Sequence, residues 1–221
     1  MIQLDSITVQ LGTQTIVNRF SLEIAKGDKV AVYGESGSGK STLLKTLIGM
    51  HLPVNGRIVM QGLDFVPANL PTIRKEVFYL PQDILAQGEE TAMDYLKAPF
   101  ALAVNRGAMF PEMRLGELMA TLRLKAETLT QPLGRLSGGE RKRVGLLRGM
   151  LLNRAIILAD EPSAGVDASN RDVIVNMLFR QSDATVVAVT HDEEFLSMAD
   201  KKVQMHSHGM PDDTTDAHGR P

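Results

Sequence analysis

The sequence predicts an α/β fold with an N-terminal antiparallel β subdomain, a mostly parallel core sheet flanked by helices, and an inserted α-helical subdomain. Three observations carry this reading. A glycine-rich turn at 34–39 separates an apolar strand from a helix-forming run. From residue 136 onward, helix-like and strand-like patterns alternate, as they do in parallel sheets covered by helices. Between these regions, the periodicity changes to that of helices.

Taken in order, the first thirty or so residues alternate apolar and polar side chains ("ITVQL", "FSLEIAKGDKVAVY") with glycine breaks, the period-two signature of antiparallel strands. "KVAVYGESGSGKSTLLKTLIGM" reads as strand, glycine-rich turn and helix, and "GRIVMQGLDF" returns to strand. Residues 83–135 are read as a helical insert built from "EETAMDYLKAPFALAVNRG" and "MRLGELMATLRLKAETL", punctuated by Pro99, Gly107 and Pro111. Helix "ERKRVGLLRGMLL", strand "RAIILADE", helix "SNRDVIVNMLFRQ" and strand "ATVVAVTHD" follow. "PDDTTDAHGRP" is polar and aperiodic, so 211–221 reads as a flexible tail. The expected organisation is one domain over 1–210, with 1–82 and 136–210 as the core and 83–135 as the insert.

At 221 residues, 43% hydrophobic and 23% charged, the chain is long enough for one substantial domain and a small lobe. A net charge of −2 provides no general basic field, so nucleic acid is not expected as the main partner. The absence of cysteine removes disulfides and thiolate metal sites and fits a reducing compartment. The N-terminus lacks a basic leader with an apolar core, and no apolar run approaches the roughly 18–20 residues of a membrane span. The expectation is a soluble, cytoplasmic protein that meets a membrane only through another chain.

Gly34-Glu35-Ser36-Gly37-Ser38-Gly39-Lys40-Ser41-Thr42 matches the phosphate-binding loop pattern in its required strand-to-helix context. Glycines at 34, 37 and 39 let the backbone wrap an anion, and the helix that follows adds its dipole. Lys40 would reach the outer phosphate oxygens of a nucleotide, and the Ser41 hydroxyl would complete a Mg²⁺ shell. "AIILADE" ends an apolar strand in two acids where such folds bind ligands: Asp160 to organise Mg²⁺ through water and Glu161 to polarise an attacking water. Further on, Ser137, Gly138 and Gly139 suit an anion at a helix N-terminus and equally suit an ordinary capped helix start.

Together these motifs resemble the ATP-binding cassette (ABC) ATPases, a family of P-loop NTPases, across residues 1–210. The likeness rests on six elements in the family's order: the loop 34–42, Gln82 in "FYLPQD", the signature "LSGGE" (136–140), "ILADE" (157–161), "SAGVD" (163–167) and His191 in "VTHD". The resemblance implies ATP and Mg²⁺ as ligands and a head-to-tail pair of cassettes. Ser137, Gly138 and Gly139 of one copy would then meet the γ-phosphate held by the other. It implies that Gln82 ligates Mg²⁺ or water and links the core to the insert, that His191 contacts the γ-phosphate and steadies the water of Glu161, and that Asp167 lies in a loop coupling the two sites. A solvent-facing helix cap is the other reading of Asp167.

Two positions depart from the common pattern. Leu11 falls where the family commonly stacks adenine on an aromatic side chain, which implies modest affinity and comparable binding of ATP and GTP. Glu140 replaces the commoner glutamine and brings a negative charge near the γ-phosphate, with Arg141, Lys142 and Arg143 to offset it.

Among ABC proteins, the single cassette and short insert resemble the ATPase subunit of a transporter with its membrane helices on a separate permease chain. The alternatives are a soluble ABC ATPase acting on ribosomes or DNA, or one accessory to a metabolic enzyme complex. "LSGGERKR" with "LADEP" looks like the lipoprotein-releasing and macrolide-exporter branch. The 81–107 segment and "DASNRDVIVNML" look like small exporter ATPases linked to metal efflux, so both likenesses imply export. His206, His208 and His218 invite a metal-binding reading, against a terminal strand and turn. Met93, Met109, Met113 and Met119 read either as core or as an adaptable groove for a partner helix.

Overall fold

The computed structural model describes residues 2–86 and 88–206. Two sheets form the frame. The first is antiparallel, with β1 (Ile2–Leu11), β2 (Gln14–Ile24), β4 (Asn55–Met60) and β5 (Leu63–Asp64) in the order β2-β1-β4-β5. The second is parallel throughout: β3 (Lys29–Gly34), β6 (Val77–Leu80), β7 (Ile156–Asp160), β8 (Thr185–Val189) and β9 (Lys201–Met205), in the order β6-β7-β8-β3-β9.

Strands buried on both faces need apolar side chains at every position, which is why "IILA" and "VVAV" run without polar breaks. Their alternation divides the interior in two. Val30, Val32, Ile156, Leu158, Val187 and Val189 join a core with the antiparallel sheet and with α1 (Lys40–Leu47). Ala31, Ile157, Ala159, Val186 and Ala188 face the other core. That second core takes in α5 (Gly138–Leu152) and the buried Ala92, Leu96, Met119, Leu122 and Leu133 of the 83–135 segment.

The 83–135 segment holds less α-helix than its periodicity predicts. α3 (Ala92–Lys97) ends in 3₁₀ turns at 98–101 and 103–105, where Pro99 cannot donate to a continuing ladder. α4 (Glu112–Thr121) is followed by 3₁₀ turns at 126–130 and 133–135. A short helix that the sequence reading did not anticipate, α2 (Leu70–Lys75), carries Pro71 in its first turn. The remaining helices are α6 (Ala168–Val175), which runs into a π-helical turn at 176–180, and α7 (Glu193–Met198).

Of the four methionines, Met119 is buried in the core and Met93 is half-buried, whereas Met109 and Met113 are 88% and 94% exposed. Two glycines of α5 lie against β6 and the residues just after it. A Cβ at Gly145 would meet Ile84 Cδ1 at 2.1 Å, and one at Gly149 would meet the Phe78 ring at 2.2 Å. Among the described residues, no helix is long and apolar enough to cross a membrane.

Candidate nucleotide-binding site

The carboxyl ends of the parallel strands carry the loops that make the site, as in other open α/β sheets. β3 ends at Gly34, whose φ of 140° and lack of a side chain let the chain pass Met205 of β9. A Cβ there would lie 2.0 Å from the Met205 carbonyl oxygen. The loop then turns through Gly37 and Gly39, both at positive φ, into α1.

Ser36, Gly37, Gly39, Lys40, Ser41 and Thr42 line a cavity of about 440 Å³ together with Ile16, Gln82, Glu161, Ala164, Val189 and His191. Ser38 is 1% exposed, and its hydroxyl has no hydrogen-bond partner among the described residues. Lys40 Nζ donates to the carbonyls of Gly34 (2.8 Å) and Glu35 (2.6 Å). Burial pushes the Lys40 pKa down, against the pull of Glu161 and Asp160. An orphaned buried hydroxyl and a desolvated ammonium beside a glycine-rich helix start fit the phosphates of a nucleotide.

The acids at the end of β7 are held differently. Asp160 is buried; its Oδ1 accepts from Ser41 Oγ at 2.9 Å and its Oδ2 accepts from the Tyr79 hydroxyl at 3.2 Å. A hydroxyl and a carboxylate already paired in this way are a donor set suited to Mg²⁺ and its water shell. Tyr79 was missed by the sequence reading. Its position on β6, next to β7 and three residues before Gln82, is the signal that marks it. Burial and the Asp160 carboxylate push its pKa well up, so it stays protonated as a donor.

Glu161 turns the chain away from the strand at φ 47°, and its Oε1 lies 3.4 Å from His191 Nε2. Burial raises its pKa first and Asp160 adds to the rise, while His191, Lys40 and Lys142 oppose it. A carboxylate with raised proton affinity is suited to accept a proton from water. Behind it, Asp192 accepts from Ser163 at 3.0 Å and pairs with Arg171 at 3.3 Å, which fixes the turn after His191.

Other sequence-selected residues lie elsewhere. Leu11 sits at the β1–β2 turn opposite Gln14, 40% exposed, and Ile16 lines the cavity instead. Ser137, Gly138, Gly139 and Glu140 are not among the lining residues. They form a capping box at the start of α5: Ser137 Oγ accepts from Glu140 N–H at 3.2 Å and donates to Glu140 Oε2 at 2.7 Å, and Ser137 N–H donates to Oε2 at 3.0 Å. Arg143 faces Glu140. Lys142 does not; it is buried and donates to the Glu161 carbonyl. Asp167 is exposed and caps α6 by accepting from Asn170 N–H at 3.1 Å. His206 follows β9, while His208 and His218 lie outside the described residues.

Residues 17–164 match the family described as "ABC transporter". The sulfate/thiosulfate import ATP-binding protein CysA of Caulobacter vibrioides is 34% identical over 98% of this chain and 66% of its own length. The lipoprotein-releasing system ATP-binding protein LolD of Bacteroides fragilis is 32% identical over 93% of this chain and 97% of its own. The macrolide export ATP-binding/permease protein MacB of Hyphomonas neptunium is 33% identical over 84% of this chain, which spans only 29% of that relative. A dimeric ATP-binding cassette solved in a post-hydrolysis state with ADP and Pi superposes with a TM-score of 0.87 at 26% identity, covering all of both chains. On this match and these relatives, the chain belongs to the ABC transporter family, as an ATP-binding cassette ATPase.

Proposed function

We propose that this chain hydrolyses ATP as one half of a head-to-tail pair with a second copy and thereby drives a separate membrane-spanning permease on whose cytoplasmic face it sits, in the direction of export. One observation carries the hydrolytic reading: an anion-cradling loop, the Ser41–Asp160 pair and the Glu161–His191 pair converge on one cavity. Backbone amides of the loop and the Ser38 hydroxyl hold phosphate oxygens, and Lys40 exchanges its carbonyl partners for the terminal phosphate.

Ser41, Gln82 and, through water, Asp160 would hold Mg²⁺, which when bound neutralises charge on the outer phosphates. Glu161 takes a proton from the attacking water at its carboxylate, and His191 Nε2 orients that carboxylate. Ser137, Gly138 and Gly139 supply donors to the nucleotide of the other copy. Loss of that shared ligand loosens the pair and turns chemistry into motion. Export is supported by the lipoprotein-releasing relative, matched over nearly its full length, and by the macrolide export relatives.

Glu161→Gln is expected to retain ATP binding, to hydrolyse at least about 100-fold more slowly, and to accumulate as a dimer with Mg-ATP in light scattering. Wild-type turnover would refute the role of Glu161. The same variant, purified from solubilised host membranes with ATP present, is expected to bring a stoichiometric polytopic membrane protein identifiable by mass spectrometry. Ribosomal proteins, DNA or soluble enzymes in its place would overturn the transport reading and leave the ATPase standing.

A further inference from the structure

We propose that Lys142 is a positioning residue for Glu161, tying the aim of its carboxylate to the seating of α5. Lys142 lies five residues after Ser137 and is 6% exposed, among the buried Arg143, Val144, Gly145 and Leu146. An ammonium is costly there unless it is paired, and its Nζ donates to the main-chain carbonyl of Glu161, with Asp83, Glu161 and Asp160 as the surrounding negative charges.

Glu161 needs such a hold. Its φ of 47° is a conformation that residues with side chains rarely adopt, and it persists only where neighbours over-determine it. Its N–H donates to Val189 O at 2.9 Å, which pins it to β8, and its carbonyl accepts from Ala164 N–H at 3.2 Å in the following turn. Lys142 adds the pin that comes from α5. Because α5 also starts at Ser137 and shares its core with α3 and α4, a shift of α5 relative to the sheet pulls on the Glu161 carbonyl. That pull would change how the carboxylate meets His191. The inference rests on the proposed hydrolytic role of Glu161 and deepens it: in the head-to-tail pair, the seating of Ser137 on the other copy's nucleotide reaches this copy's own base through five residues of one helix.

The test compares steady-state ATP hydrolysis by the full chain and by Lys142→Met, which keeps the stem and drops the donor, and Lys142→Arg, which keeps a donor. Lys142→Met is expected to lose about tenfold to 100-fold in kcat with KM for ATP within about twofold, and its Hill coefficient should fall toward one. Lys142→Arg should recover most of kcat. Wild-type turnover in Lys142→Met overturns the inference, as does a loss that falls equally on KM or that Lys142→Arg shares along with a lowered Tm. Should Lys142→Met fail to fold, Lys142→Leu, which also lacks a donor, replaces it and must show the same split. Glu161→Gln, assayed alongside, separates the failures. Wild-type turnover there sinks the hydrolytic reading, whereas an inactive Glu161→Gln beside a fully active Lys142→Met sinks this inference alone.

Discussion

Each carboxylate near the site is defined by what reaches it. Asp160 accepts from two hydroxyls and is buried, whereas Glu161 is raised toward the protonated form by its burial; neighbouring acids on one strand end therefore take different chemistry. Asp167 is a third case. Side-chain donors from Asn170 and Ser169 hold its pKa at about 2, below the ordinary 3.8, while it remains exposed. A folded-state pKa below the unfolded value means that its contribution is complete above pH 3.8 and is lost as pH falls through about 2. Asp167→Asn keeps a cap acceptor without the titration, so thermal melts should show a shallower acid limb than the wild type over that window. An unchanged limb would remove Asp167 from the acid response.

At the level of elements, α5 is placed by what it lacks. Gly145 and Gly149 bring the helix against Ile84 and the Phe78 ring. In an exposed helix interior, glycine-to-alanine substitution stabilises by up to about 1 kcal/mol. Here Gly149→Ala is expected to destabilise by about 1–3 kcal/mol, because the added methyl has no room against Phe78 of β6. Urea denaturation measures the sign directly. A stabilised variant would mean that α5 has slack against the sheet, in conflict with a helix that transmits position through Lys142.

For the whole molecule, the separation of the signature from the cavity is the organising fact. Ser137 is exposed and does not line the protomer's own site. On the proposed head-to-tail pairing, Ser137→Arg is expected to leave monomeric ATP affinity within about twofold while the ATP-driven dimer and steady-state hydrolysis are lost, because that pairing would present the bulk to a second copy. Calorimetry on the monomer and light scattering with Mg-ATP read the two arms. Weakened monomer binding would place Ser137 in its own protomer's site and refute the head-to-tail reading.

The sequence by itself determined the local motifs and the elements that carry them. The 34–42 loop, the Asp160–Glu161 strand end and the apolar runs of β7 and β8 follow from short patterns whose period, glycines and charges have few other uses. It also marked Ser137, Gly138 and Gly139 as a helix start, but left open whether that start serves an anion or only the helix, and the reciprocal Ser137–Glu140 capping box emerged only in the fold. Only the tertiary structure decided the rest: Tyr79 on Asp160, Lys142 on the Glu161 carbonyl, Ile16 rather than Leu11 beside the loop, and the breakup of the predicted helices in 83–135. These depend on side chains that are far apart in sequence and brought together by strand order and burial. Hydrophobic periodicity reports which face of an element is covered, and it carries no information about which distant residue covers it.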